Sequence, residues 1–211
     1  TATFASIKIL KVFINQKNFF DKNKLSLDNI KINNADFILA ANDLKLFKNK
    51  IKYKASNKKI EIEKSIIFFK NNLDEIISIV KISKGLLFHD EDNLFNLFEL
   101  KGKIFNIPFN FYHKNNFDNL NSEETSITVK KLKLDILNIH NIEKKNSNKG
   151  KNIISFLNSK VNTNYKIEKD IIRFKSEDSK LKNSDVTYDA ELSIDPFELN
   201  ANIHLDRYEL N

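Results

Sequence analysis

Val161-Asn162-Thr163-Asn164-Tyr165-Lys166-Ile167 alternates apolar or β-branched side chains with Asn and Lys. Successive side chains of a β-strand point to opposite faces, so this segment can hide one face and wet the other. Similar runs recur from end to end, and the first inference is one long, mostly antiparallel sheet.

Toward the C-terminus, Ile171 to Phe174 is a further strand, and Val186, Tyr188, Ala190, Leu192 and Ile194 share one parity. Asp195-Pro196 flips that parity to Phe197, Leu199, Ala201, Ile203 and Leu205. Toward the N-terminus, Ile153 to Leu157 precedes the quoted run. Glu143 to Lys151 reads as a long hairpin tip, basic through Lys144, Lys145, Lys149 and Lys151, with Gly150 as its turn residue. Ile127 and Val129 flip at Lys130-Lys131 into Leu132, Leu134 and Ile136, and Asn115 to Thr125 reads as a polar loop.

Phe98 and Leu100 lead to a break at Gly102, after which Phe105, Ile107, Phe109 and Phe111 form a same-face stripe. Pro108 lies on the opposite parity and cannot donate to a ladder, so an edge or a bulge is expected there. Asp92 is placed to cap a single helical turn with Leu94 and Leu97 facing inward. Ile76, Val80, Ile82, Leu86 and Phe88 share one parity. Earlier strands are read at Phe4 to Ile14, Ala35 to Ala40, Leu44 to Phe47, Ile51 to Ala55 and Ile60 to Phe69, separated by Asn-rich turns. The apolar set moves from odd positions (Leu25, Leu27) to even ones (Ile30, Ile32), so a bulge or tight bend is expected at Asp28-Asn29.

Roughly a dozen strands at this spacing predict an all-β fold, a long antiparallel meander with at most one or two short helical turns. So many strands must curl, close or split into layers. The parity slips at Asp28, Lys130 and Asp195 are read as the places where a single sheet bends into a curved, twisted trough. The chain is taken as one β segment over 1–211, with possible sub-units 1–90 and 91–211.

The 211 residues are 41% hydrophobic, with 18 Phe, 3 Gly, 2 Pro and no Cys, Met or Trp, which is too apolar for a disordered chain. Without even an initiator Met, Thr1 is expected to be a cut point in a longer protein. No window approaches the roughly 20 apolar residues of a membrane span. Zero Cys excludes disulfides and thiolate metal sites. The absence of any Asn-X-Ser/Thr sequon gives no support to a glycosylating secretory route.

A net charge of +7 permits attraction to nucleic acid or anionic lipid. Arg173 and Arg207 are the only side chains with a bidentate fork, and most lysines alternate with apolar residues, so no nucleic acid is expected. His89, His113, His140 and His204 fit no ligand spacing, and His89-Asp90-Glu91-Asp92 lacks the Gly and distal Glu of a calcium loop. Asn148-Lys149-Gly150-Lys151 precedes no helix and is no phosphate loop. The acid pairs Glu61/Glu63 and Glu123/Glu124 have no catalytic context. A non-enzyme without metal or cofactor is the expectation.

Phe98 to Phe111 and Asp189 to Leu205 (Asp-Ala-Glu-Leu-Ser-Ile-Asp-Pro-Phe-Glu-Leu-Asn-Ala-Asn-Ile-His-Leu) resemble the AsmA-like proteins, a bacterial envelope family that includes the AsmA, TamB and YhdP types. A Gly-containing strand, a Pro-Phe step and an alternating strand recur in that family; Ala190 stands here where Gly is expected. The resemblance implies a taco-like β-groove in the periplasm, an inner-membrane anchor outside this segment, and a part in moving phospholipid toward the outer membrane and in outer-membrane assembly. Phospholipid acyl chains would then lie along an apolar lining, for which Phe105, Ile107, Phe109, Phe111, Val161, Tyr165, Ile167, Leu192, Ile194, Phe197, Leu199 and Ile203 are the expected residues. The rival class is a structural or adhesive β-sandwich or solenoid that binds protein or glycan; a covered Phe stripe would favour it.

Overall fold

A computed structural model describes residues 4–15, 27–40, 43, 57–71, 73–117, 122–142 and 147–206. The chain divides into two compact units, Thr1–Asn115 and Asn116–Asn211. Its strands belong to one 14-stranded, mostly antiparallel meander. The first unit holds β1 (Ala5–Ile14), β2 (Leu27–Ala40), β3 (Lys59–Lys70), β4 (Ile76–Asp90), β5 (Phe95–Ile104) and most of β6 (Ile107–Asn116), in that order. The second holds β7 (Ser122–Val129), β8 (Leu134–Ile142), β9 (Ser147–Phe156), β10 (Ser159–Glu168), β11 (Ile171–Ser176), β12 (Ser179–Leu181), β13 (Ser184–Ser193) and β14 (Glu198–Leu205). β13 pairs with both β11 and β12 along one side and with β14 along the other. β2 and β3 run parallel.

Within each unit, strands pack against their sheet neighbours and no second layer covers them among the described residues. Only Ala35, Val80, Ile82, Leu100, Val129 and Val186 are buried apolar side chains there. Apolar alternation therefore builds a face more than a core.

That face survives three interruptions in the first unit. Asn34 and Lys64 take left-handed backbone, φ 53° and 48°. In β4, Ile82 pairs with Gly102 and Lys84 with Lys101, which leaves Ser83 as an extra residue. Each interruption moves the inward set by one residue, from Ile32 to Ala35, from Ile62 to Ser65 and from Ile82 to Gly85, so the same face continues past the kink. The single parity expected from Ile76 to Phe88 is thus corrected: beyond Ser83 the buried positions are Gly85 and His89.

The bulge expected at Asp28 is present, because Phe13 pairs with Asn29 and Ile14 with Leu27, skipping Asp28. The bends expected at Lys130 and Asp195 are corrected to chain reversals. Lys130–Leu132 is a 3-10 turn between β7 and β8, and residues 194–197 form the turn between β13 and β14. No helical turn forms at Asp92: residues 91–94 are a hairpin turn held by the Asp90 carboxylate, which accepts the N–H groups of Asp92 and Asn93, and Leu94 is exposed. Asn33-Asn34 lies inside β2, and Gly102 lies inside β5. The polar loop at Asn115 shrinks, since β6 runs to Asn116 and β7 starts at Ser122. Lys149, Gly150 and Lys151 belong to β9 and not to a tip. Residues 44–47 and 51–55, with Lys144 and Lys145, lie outside the described residues.

Candidate functional site

In the second unit, cross-strand registers bring one parity of each strand to a common face. Ile167, Ile172, Leu192 and Leu199 are successive neighbours across β10, β11, β13 and β14. Tyr165, Phe174, Ala190 and Ala201 form the next row, and Tyr188 stands opposite Ile203. Between them lies an open hollow of about 580 Å³. Of the expected lining residues, Tyr165, Ile167, Leu199 and Ile203 border it. Ile154, Ile172 and Phe174, which the sequence reading left out, border it as well. Parity alone did not single them out, because Ile153 stands beside Ile154 and Ile171 beside Ile172; the cross-strand register places Ile154 opposite Val161, Ile172 opposite Ile167 and Phe174 opposite Tyr165.

Val161 and Leu192 lie on the same face and are half-buried. Ile194 and Phe197 are in the β13–β14 turn, 53% and 79% exposed. In the first unit, Ile107, Phe109 and Phe111 share one face of β6 and are half-buried, with the Phe98 and Phe111 rings 5.5 Å apart. Phe105 does not join that stripe. Phe105 and Asn106 both have positive φ and form the two-residue turn between β5 and β6, a reversal in which both central residues require that conformation, and Phe105 is 75% exposed.

The apolar face of the second unit has a polar centre that the sequence reading missed. Tyr165 donates its hydroxyl to Asn138 Oδ1 at 3.0 Å. His140 Nδ1 lies 3.1 Å from the same phenol oxygen, and its ring stacks on Tyr165 at 6.0 Å. As the phenol proton already goes to Asn138, the imidazole is placed to donate from Nδ1. Thr163 and Tyr188 share a hydroxyl–hydroxyl hydrogen bond one row away. Burial pushes the Tyr165 phenol up, opposed by the Asn138 bond and reinforced by the Glu123 carboxylate. A hydrogen-bond network of this kind orients side chains and satisfies polar atoms within an apolar floor.

Gly150 makes the arrangement possible. It faces Tyr165 across β9 and β10, and a Cβ there would lie 2.2 Å from the phenol ring and 2.6 Å from the Ile139 carbonyl. The Tyr165 ring occupies the space that a side chain at position 150 would need.

No helix among the described residues is long and apolar enough to cross a membrane. Among them, too, no three His, Asp or Glu side chains gather as a metal site. Comparison of the chain with family models, with curated proteins and with solved structures yields no match.

Proposed function

We propose that this chain is a non-enzymatic β-groove segment of AsmA-like type, whose apolar face holds phospholipid acyl chains in the bacterial periplasm, within a protein anchored to the inner membrane. The observation that carries the reading is the uncovered hollow of the second unit, where Leu199 and Ile203 remain 58% and 69% exposed. Contiguous exposed apolar surface of this kind marks a site of interaction with an apolar ligand or partner. Each buried methylene contributes about 0.8 kcal/mol, so six of them supply ~5 kcal/mol, near the lower end of the cost of association. Such a grip is reversible, as a conduit for lipid needs.

A photo-crosslinking residue at Leu199 of the full-length protein, expressed in bacterial cells, tests the proposal. Phospholipid adducts at Leu199 and their absence at Asn202, which points to the other face of β14, are the expected result. Equal labelling at both positions, or labelling at neither, overturns it. Adducts with protein at Leu199 would favour the structural or adhesive reading instead.

A further inference from the structure

The polar face of the second unit, opposite the acyl-chain hollow, carries a second depression with a different chemistry. We propose that this depression is a binding site for a phosphate-bearing ligand. It has a volume of about 590 Å³ and is bordered by Lys149, Lys151, Lys166, Arg173 and Lys175, with no carboxylate in its wall. The cations stand in two cross-strand rows. Lys149 faces Lys166 across β9 and β10, and Lys166 faces Arg173 across β10 and β11. In the next row, Asn164 lies between Lys151 and Lys175.

Like charges directly opposite one another weaken a sheet. Two such juxtapositions stand in one row, Lys149 with Lys166 and Lys166 with Arg173, and Glu168 bridges the second of them. The neighbouring carboxylates hold some of these cations from outside the hollow. Glu177 pairs with Lys151 at 2.9 Å, Glu168 pairs with Lys166 and with Arg173, and Glu191 takes Arg173 Nε at 2.8 Å. Asp189, opposite Lys175 on β13, accepts instead from Asn202. Lys175 is in no ion pair among the described residues.

The Arg173 fork is engaged by two glutamates, so the remaining donors are lysine ammonium groups, which act as point charges and not as a bidentate clamp. Several point charges spread over two rows suit a multiply charged group with several acceptor oxygens, which a phosphate ester is and a single carboxylate is not. Tyr165 faces the apolar hollow while its neighbour Lys166 faces the basic one, so the two sites lie on opposite faces of the same strand. The inference is therefore independent of the acyl-chain reading.

The test uses the whole chain and two probes at low salt: inorganic pyrophosphate by titration calorimetry, and sedimentation with phosphatidylglycerol or phosphatidylcholine vesicles. Lys149→Gln with Lys175→Gln removes two cations from the hollow. Lys81→Gln with Lys103→Gln removes two exposed, mutually facing lysines from the first unit as a control of equal charge. Far-ultraviolet circular dichroism confirms that both variants fold. The hollow variant is expected to bind about 10-fold more weakly or worse, the scale of losing one charge-assisted hydrogen bond, with the control within about 2-fold of the parent. Binding of pyrophosphate assigns the site to phosphate in solution as well as on lipid; binding of phosphatidylglycerol vesicles alone assigns it to a membrane-borne headgroup. Binding of neither probe, or equal weakening in the control variant, overturns the proposal.

Discussion

The Ser65 hydroxyl accepts the backbone N–H of Ala35 from the neighbouring strand at 3.0 Å and donates to the carbonyl of Glu63 at 2.8 Å. Lys64, between those two residues, is left-handed, and such a residue interrupts the ladder. The serine hydroxyl repairs the break by meeting the amide that the kinked backbone no longer reaches. The second unit repeats the device. Asp178 is left-handed with φ 45°, and Ser179 accepts the N–H of Asn162 at 2.9 Å and donates to its carbonyl at 3.0 Å. Both serines are almost fully buried, at 2% and 3% exposure.

Ser65→Ala and Ser179→Ala should each therefore destabilise by about 1–3 kcal/mol, the cost of leaving a buried backbone amide unsatisfied. Urea unfolding monitored by circular dichroism gives the measurement. Ser83→Ala is the comparison: its hydroxyl bonds the Lys101 carbonyl at an exposed site, where water can take its place, and it should cost less than either buried serine. Equal losses at all three positions would mean that the buried serines do not act as repairs.

These triplets also mark the limit of what the sequence disclosed. Alternation at Val161 to Ile167 and from Val186 onward located β10 and β13, because a period of two has one physical meaning. A change of parity has two, a bulge or a reversal, and its local composition does not separate them. Asp28 proved to be a bulge, whereas Lys130 and Asp195 lie in turns. Glu63-Lys64-Ser65 and Glu177-Asp178-Ser179 were visible as words, but their role depends on a neighbouring strand that only the register supplies. The same holds for the lining: Tyr165, Ile167, Leu199 and Ile203 were legible by parity, while the bond from Tyr165 to Asn138 joins residues 27 positions apart.

Gly150→Ala should disorganise the polar centre of the apolar face. Its methyl group would overlap the Tyr165 ring, and backbone at the Ile139 carbonyl leaves no room for the glycine to retreat. Overpacking of this kind costs about 1–3 kcal/mol. Near-ultraviolet circular dichroism should show the loss of the His140–Tyr165 stack. In a Tyr165→Ala background the same Gly150→Ala change should cost measurably less, since the ring it displaces is gone; additive losses would remove Tyr165 as the reason for the glycine.

Tyr165 should titrate above its ordinary value of 10.0, since burial disfavours the phenolate. In that range the unfolded chain releases the proton first and the folded protein retains it. Stability linked to this group is thus complete below pH 10 and is lost as pH rises through the folded value. The phenolate absorbance of the parent minus that of Tyr165→Phe isolates the group. A midpoint at or below 10.0 would contradict the burial.

On the acid side, the Lys31 ammonium lies 2.7 Å from Glu63 Oε1 and holds that carboxyl below its ordinary value of 4.5. The folded protein therefore binds fewer protons at Glu63 than the unfolded chain does. Its contribution to stability is present above pH 4.5 and disappears as pH falls through the lower folded value. The same pair raises the Lys31 ammonium from 10.5, which makes its contribution complete below that pH and lost as pH rises through the higher folded value. Both partners are solvent-accessible, so added salt should weaken both effects together. Carbon-detected NMR titration should place Glu63 below its ordinary value of 4.5 in the parent, and Lys31→Met should return it toward that value. If Glu63 does not move in that variant, the hydrogen bond between β2 and β3 is not what sets its acidity.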